Sequence, residues 1–424
     1  MLKLRGGALQ LTLFIIVVIA LLLTSFILLV HTHKQFQVQT DFIIETTRNT
    51  NIGVDYALQN SISLNDTISI DLKDEDFKSI KVLRDYWGVF EKITVVSQIK
   101  NNQFKKTALI GAKQIENNRT ALYTQNNNKP LVLVGNTKIE GVTYLPSQGV
   151  KSGTISRQSY YGSQLIYGQT KTASSLPKVL TETVNELKNI ESKVGKVQSN
   201  QFLEIEIGKH YNNSFFKPTQ LIFSNSTINL RGIELTGNIL VQSKSKIVVY
   251  ASSILKDVVL VAPEIEIQNN VKGNFQAIAS KRINVGKSVK LQYPSVLVIN
   301  EKEGLTKEQE SNKPIKQNRI SIDDNSIIKG LVFYLGEKKS NNYKTQVELN
   351  EKAILIGELY CNQNTELKGT VYGTVYSNNF IANQFGSVYQ NHIYNGTIIV
   401  NKLPKEYVGL PFNNSKKEIL KWLY

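Results

Sequence analysis

The sequence predicts a mainly β protein, with a parallel β-solenoid ectodomain, an N-terminal transmembrane α-helix and a small α+β region before the solenoid. A charge-free apolar stretch, Ala8–Val30, follows a short basic leader of residues 1–7. Short apolar runs then recur through residues 203–400, and their spacing of about 17 to 20 residues is the length of one solenoid coil. The chain of 424 residues has one cysteine, so no intrachain disulfide framework holds these coils together.

The apolar stretch is long enough to cross a bilayer. Its roughly 23 residues span about 34 Å as a helix, against a hydrocarbon core of about 30 Å. Lys3 and Arg5 lie in the short leader on the N-terminal side of the apolar stretch, so the positive-inside rule predicts a cytoplasmic N-terminus. The alternative, a cleaved secretory signal, has a shorter apolar core and a small-x-small cleavage site, which this stretch lacks. We therefore expect a single-pass anchor in a bacterial inner (cytoplasmic) membrane, with the C-terminal domain periplasmic.

Residues 31–64 are expected to continue the helix outward. This stretch has no proline, and several of its apolar residues recur at spacings of three or four, as on a partly amphipathic helix. Gly53 weakens the pattern, because glycine inside a helix costs about 1 kcal/mol relative to alanine. Asn65–Asp66 is the expected end of the helix.

The start of the chain resembles a known family. The run Lys3-Leu-Arg-Gly-Gly-Ala-Leu9, the apolar helix and the later run Thr46-Thr-Arg-Asn-Thr-Asn-Ile-Gly-Val-Asp-Tyr-Ala-Leu58 resemble the N-terminal helix of type IV pilins, especially minor pilins and the large minor pseudopilin of type II secretion. The resemblance implies cleavage by a prepilin peptidase after Gly6 or Gly7, leaving Gly7 or Ala8 at the N-terminus. It also implies packing beside other helices of a filament or against an inner-membrane platform.

The chain departs from major pilins at one position. Major pilins carry a glutamate at the fifth mature position, where this chain has Leu11 or Thr12, depending on the cut. Tip-type minor members also lack that glutamate. The alternative interpretation of these residues is an ordinary single-pass anchor with an extended juxtamembrane helix.

Residues 65–135 are expected to form the small α+β region. The patterns there predict a strand, a short helix and two hairpins. The segments are a strand at 68–72, a helix at Glu75–Trp87, a hairpin of 89–99 with 104–110, and a second hairpin of Thr120–Thr124 with 130–134.

The solenoid is predicted over residues 203–400. Between its main apolar runs lie shorter runs that alternate polar with apolar residues, typical of strands with one inward face. The alternative is a two-sheet sandwich. A first rung is expected at Lys138–Pro146, followed within residues 136–202 by an insertion with an amphipathic helix at Pro177–Val197, and residues 401–424 are expected to cap the last coil. By this rung pattern alone, the C-terminal part also resembles the polymerising bactofilin β-helices.

No pattern points to catalysis or to a cofactor. The chain has four histidines. His31 and His33 are two residues apart, which places them on different faces of a helix, and His210 and His392 have no nearby Cys, Asp or Glu at metal-ligand spacing. Cys361 lies in a strand-like apolar run. Solenoids that cleave polysaccharides need several carboxylates on adjacent rungs, whereas the rung cores of this chain contain almost none, Glu358 being the exception. We predict no enzymatic activity, no metal and no small-molecule substrate.

Charge argues against a nucleic-acid partner. The net charge is +16, but Lys and Arg are spread along the chain without an aromatic-interleaved basic motif. The predicted role is a non-enzymatic, membrane-anchored structural component of a secretion or type IV filament apparatus, whose partners are the membrane and neighbouring helices. The alternative is a tethered β-helix adhesin that binds a surface polysaccharide, with sugar-stacking candidates at Tyr372, Tyr376, Tyr389 and Tyr394, for which packing is the favoured interpretation.

Overall fold

The computed structural model describes residues 6–70, 77–115, 118–302, 317–337, 342–413 and 415–424. The chain divides into two compact units. The first unit comprises Met1–Leu83 and Thr94–Lys106, and the second comprises Arg84–Ile93 and Thr107–Tyr424.

The first unit consists of one long helix and parts of an antiparallel sheet. Helix α1 spans Gly6–Gln59, 54 residues without a break. Strand β1 pairs antiparallel with β2, and β3 is the neighbour of β4 in the sheet, which confirms the first predicted hairpin. Strands β2 to β4 each run on into the second unit. The strands are β1 Thr67–Ile70, β2 Lys78–Trp87, β3 Phe90–Ile99 and β4 Asn102–Lys113.

The helix predicted over Glu75–Trp87 is wrong for the residues that the structure describes, since Lys78–Trp87 is a strand. Ile80 and Val82 are fully buried while Lys81 between them is exposed. This alternation has the period of two that a half-buried strand requires, and the charged residues of the segment conceal it in the sequence. Residues 75 and 76 lie outside the described residues.

The second unit is built around a parallel β-solenoid, as predicted. Most of its strands pair in parallel with a strand one coil away. The strands are β5 Thr120–Thr124, β6 Leu131–Val134, β7 Lys138–Glu140, β8 Val142–Leu145, β9 Val150–Ser152, β10 Thr154–Ile155, β11 Gln158–Ser159, β12 Thr170–Thr172, β13 His210–Asn213, β14 Gln220–Ser224, β15 Ile228–Leu230, β16 Glu234–Gly237, β17 Ile239–Ser243, β18 Lys246–Val249, β19 Ile254–Ile267, β20 Lys272–Val285, β21 Lys290–Asn300, β22 Arg319–Ile322, β23 Ile327–Leu335, β24 Val347–Leu349, β25 Ile354–Leu367, β26 Thr370–Gln384, β27 Ser387–Gln390, β28 His392–Tyr394 and β29 Thr397–Ile399.

Each coil has three straight faces. Face A contains β13, β16, the first residues of β19, β20, β21, β23, β25 and β26, then β29 and β7. Face B contains β14, β17, the central residues of the same long strands, then β5, β8 and β12. Face C contains β15, β18, the last residues of β19 and β20, then β22, β24 and the last residues of β25 and β26.

The inward side chains of the three faces form one apolar column. Leu255, Leu291, Ile328 and Leu355 supply face A's share of it, each at most 1 % exposed. Full burial of such a side chain contributes roughly 1.5 to 3 kcal/mol, so a stack of coils can dispense with disulfides. Cys361 is one of these buried inward residues, as the sequence indicates.

The coils are not stacked in chain order. Beyond β26, the stack continues with Leu122 of β5 opposite Val375, while Lys138 of β7 lies opposite Thr397 of β29. The second predicted hairpin, residues 120–134, is therefore wrong, because β5 and β6 occupy successive positions of one coil and pair in parallel with other coils. The rung predicted at Lys138–Pro146 is confirmed as β7 and β8.

A glycine column marks the corner between faces A and B. Gly330, Gly357 and Gly373 lie opposite one another in successive coils, with φ of 138°, 148° and 152°. A Cβ atom on Gly357 would lie 1.9 Å from the carbonyl oxygen of Gly330, and one on Gly373 would lie 1.8 Å from that of Gly357. Only glycine permits both this backbone conformation and this approach.

The outer side of face B is covered by two segments. Helix α2, Thr181–Asn189, and the 3-10 turn Ile190–Lys196 bury Leu187 and Ile190 against it, which confirms the predicted apolar face of the insertion. The tail is the second cover, so its predicted position as a cap on the last coil is wrong. Residues 407–410 lie along face B, and the final strand, β30 Lys416–Leu423, pairs antiparallel with β4.

Candidate functional site, the N-terminal helix and its sheet

The first half of α1 is apolar and exposed on all sides. Within the described residues, one helix is long and apolar enough to cross a membrane, and its most apolar window has a mean hydropathy of 3.3 with none of it buried. The threonine hydroxyls of the apolar stretch are satisfied within the helix: Thr12 donates to the carbonyl of Leu9 at 2.9 Å, and Thr24 donates to that of Ala20 at 2.8 Å. A bilayer offers no water to unpaired polar groups, so this helix suits a single-pass membrane anchor.

The last turns of α1 pack tightly on the sheet of the first unit. Thr46, Thr50, Val54 and Ala57 are buried on one side of the helix. Gly53 lies on the same side, and a Cβ atom there would be 2.4 Å from Cγ1 of Val95. The glycine that weakened the helix prediction is thus the point of closest approach between helix and sheet.

Polar contacts fix the rotation of the helix on this sheet. Glu45 forms an ion pair with Lys78, and Asn51 accepts a hydrogen bond from Lys106 at 2.5 Å. The ammonium of Lys100 lies 5.1 Å from the centroid of the Phe42 ring, a cation–π distance. These contacts are spread over more than two turns, so the lower helix and the sheet form one body.

The predicted processing residues lie at the start of this helix. Gly6 is its first residue, and Gly7 and Ala8 are exposed. Nothing described lies within 4 Å of a Cβ placed on Gly7. Lys3 and Arg5, which carry the predicted membrane orientation, lie outside the described residues.

The histidines are dispersed. His31 and His33 are exposed on α1, whereas Nδ1 of His210 is hydrogen-bonded to the carboxylate of Glu234 across one coil. The sequence did not place a carboxylate beside His210, because the partner is 24 residues away in the chain and adjacent only through the coil register. His392 is partly buried, and desolvation lowers its pKa. Among the described residues, no group of three or more His, Cys, Asp or Glu side chains is placed to hold a metal ion.

Glu358 is a buried carboxyl group of the second unit. It lies on the outer side of face B under the tail, and its carboxylate accepts hydrogen bonds of 2.7 Å from the amide of Leu410 and from the side chain of Gln114. Burial raises the pKa of Glu358 to about 7, against the lowering by those two donors and the more distant charge of Arg119. Its donors are protein groups, so the carboxylate binds the tail to the solenoid.

The other reactive or aromatic candidates are also structural. Burial raises the pKa of the Cys361 thiol to about 12, which leaves it protonated and unreactive. Tyr376 and Tyr394 are buried, and Tyr389 lies beside His392. The ring of Tyr372 is partly covered by the ammonium of Lys402, 4.7 Å from its centroid. The four tyrosines do not form one open aromatic surface for sugars.

The fold and the helix together define a class: a protein with an apolar N-terminal helix of the membrane-anchor type and a parallel β-solenoid. No family model matches the chain, and no curated protein matches it. Among solved structures, a competence-associated pilin, ComZ from Thermus thermophilus, aligns over 85% of this chain and 86% of its own, at 10% identity and a TM-score of 0.21. That likeness is too low to define a shared fold.

Proposed function

We propose that this protein is a non-enzymatic, pilin-like structural subunit of a secretion or type IV filament apparatus. One observation carries the proposal: a single unbroken helix of 54 residues is apolar and exposed in its first half and buried against an antiparallel sheet in its last turns. The exposed half has the dimensions of a membrane span. The buried last turns fasten that span to the sheet.

In this role the apolar half of α1 packs beside helices of other subunits or of the inner-membrane platform. Helix association in a membrane depends on close van der Waals packing, which the charge-free stretch from Ala8 to Val30 permits along its whole length. The solenoid is carried on the extracytoplasmic side, as the basic leader with Lys3 and Arg5 predicts. It supplies a rigid, strand-rich surface to the outside.

The mature N-terminus tests this proposal. The full chain is expressed with an active prepilin peptidase, extracted from membranes and measured by intact mass. We expect the loss of residues 1–6 or 1–7, and retention of the full leader when the peptidase is inactive. Variants G6L and G7L identify the glycine used, because only the variant at that glycine should block cleavage.

Two outcomes would contradict the proposal. An intact Met1 in the presence of active peptidase would leave an ordinary anchored solenoid. A cut beyond Val30 would remove the anchor itself and identify the stretch as a secretory signal.

A further inference from the structure

The three faces of the solenoid differ in what lies on their outer side. Face B is covered by α2 and the tail. Face C is open, but its charges are matched across neighbouring coils, which leaves little net field. The ion pairs between its coils are Lys246–Glu266, Arg282–Glu264 at 3.6 Å, Arg319–Glu348 at 3.3 Å and Lys368–Glu348 at 3.6 Å.

Face A carries lysines without fixed counter-charges. Lys256, Lys272, Lys290 and Lys329 point outward from four consecutive coils. The first three are exposed and Lys329 is partly exposed. Among the described residues, none of the four ammonium groups has a carboxylate within 4 Å. We call these four residues the lysine column.

The strands around the lysine column contain no acidic residue. Their face A segments are 254–256, 272–274, 290–292 and 327–329. Asp257, which follows Lys256, is bound to Lys421. Of the other nearby acids, Glu234 lies on the neighbouring coil of face A and is hydrogen-bonded to His210, and Asp323, Asp324 and Glu351 lie in turns at the edge of the face. The positive charge of face A is therefore left to solvent.

The register brings the column's charges close together. Lys272 lies directly opposite Lys290, an arrangement of like charges that is unfavourable in a sheet. Lys256 is opposite Asn274, and Lys329 lies two residues beyond Ile327, which is opposite Lys290, so both are offset from that pair by two residues along the strands. Strands of neighbouring coils are about 4.8 Å apart and two residues of a strand span about 6.6 Å, so the Cα atoms of the four lysines fall within about 14 Å along the solenoid axis and about 7 Å across it. A linear partner with closely spaced negative charges would relieve the repulsion of all four at once.

We propose that face A binds a linear acidic polysaccharide, a polyuronate in chemical class, which lies along the solenoid axis with its carboxylates on the lysine column. The same strands expose Gln292, whose amide can hydrogen-bond sugar hydroxyls, whereas Asn274 is partly buried and donates to the carbonyl of Tyr293 at 3.0 Å. The proposal does not depend on the filament role, because it rests on the second unit alone.

A polysaccharide suits this face better than a nucleic acid. Single-stranded nucleic acid is held by aromatic side chains on which bases stack, and the four segments around the lysine column expose no aromatic ring. A duplex is read by an element that enters its groove, whereas face A is a sheet of short parallel strands.

Binding to polygalacturonate tests the proposal. The full chain in a neutral detergent is titrated against immobilised polygalacturonate, with neutral dextran as the negative control. The column variant K256Q/K272Q/K290Q/K329Q is compared with the control variant K129Q/K151Q/K178Q/K281Q. The control removes the same number of charges from exposed lysines outside the column.

We expect the wild type to bind polygalacturonate and to lose affinity as salt rises. The column variant should bind about tenfold more weakly or worse, as the loss of four exposed ion pairs implies, while the control variant changes less than about twofold. Equal losses of affinity in both variants would overturn the proposal that the lysine column is the binding site, since the change in net charge alone would explain them. Binding to DNA of equal charge but not to polygalacturonate would overturn the proposal that the ligand is a polysaccharide, and so would the absence of any binding.

Discussion

The backbone amide of Leu410 donates a 2.7 Å hydrogen bond to the carboxylate of Glu358, which is 2 % exposed. Fifty-two residues of chain separate them, yet this contact fastens the tail to the outer side of face B. Tyr293 strengthens the same attachment, since its hydroxyl donates to the carbonyl of Val408 at 2.8 Å. The tail thus acts as a longitudinal brace of the solenoid.

The burial of Glu358 predicts a pH-dependent stability. Folding raises the pKa of this carboxyl from 4.5 to about 7, so the folded state binds its proton more tightly than the unfolded state does. The contribution of this group to the free energy of unfolding is therefore largest below about pH 4.5. It falls as the pH rises to about 7 and stays at its lowest value above that pH. The full change is of order 3 kcal/mol. Urea unfolding at pH 5 and pH 8 measures it.

The variant E358Q is the control for that prediction. Its amide oxygen can still accept the Leu410 hydrogen bond, but the group no longer titrates, so the difference in unfolding free energy between pH 5 and pH 8 should shrink by the same amount. If E358Q keeps the full difference in unfolding free energy between pH 5 and pH 8, groups other than Glu358 cause that difference.

Replacing Gly357 by alanine is expected to destabilise the solenoid through a steric clash. The variant G357A places a Cβ 1.9 Å from the Gly330 carbonyl oxygen at a φ of 148°. Strain and clash together should lower the free energy of unfolding by about 3 kcal/mol or more. Gly386 is the matched control, because its φ is 79° but nothing lies within 4 Å of its Cβ position, so G386A should cost only about 1 to 2 kcal/mol. Similar losses of unfolding free energy in the two variants would mean that the positive φ, and not the clash, causes the destabilisation. Thermal unfolding measures both variants.

Gly53 predicts a clash between helix and sheet in the first unit. Alanine at a helix position normally gains up to about 1 kcal/mol over glycine, but the Cβ of G53A would lie 2.4 Å from Val95. We expect net destabilisation of about 1 to 3 kcal/mol, seen as faster proteolysis of the first unit. The control R48A changes an exposed residue of the same helix and should be near neutral. A stabilised G53A would contradict the observed approach.

The proposed lateral packing of α1 predicts cross-links between copies. A cysteine in the apolar half, I19C, should form disulfide-linked dimers under mild oxidation in native membranes. Cys361 should not react, because it is fully buried with a pKa raised to about 12. A cysteine on an exposed solenoid turn, N225C, is the control. Equal dimer yields from both sites would indicate random collision.

Periodicity was the most informative part of the sequence. The apolar stretch from Ala8 and the repeated runs around Leu240, Leu260 and Leu297 each reflect a local rule, the length of a membrane span or the inward position in a coil. Both features appear in the structure as α1 and the solenoid. The buried cysteine was equally predictable, because Cys361 belongs to one of those runs.

The wrong predictions share a physical cause. The segments 120–124 and 130–134 have the same strand pattern in a hairpin and in a solenoid coil, and only the register with Val375 and other distant residues distinguishes the two. Likewise, a period of two in Lys78–Trp87 was obscured by charged residues that the sheet places outward or pairs. Glu234 came beside His210 only through coil stacking.

The sequence by itself determined the membrane-type helix, the coil length and the inward faces, because these depend on the order of apolar and polar residues over one span or one coil. Tertiary structure alone decided that residues 120–172 continue the stack from β26 and β29, that the tail braces face B through Glu358, and that four lysines of consecutive coils lie on the outer side of face A. Such contacts join residues far apart in the chain, and their energy depends on register, burial and shape, which local pattern does not encode.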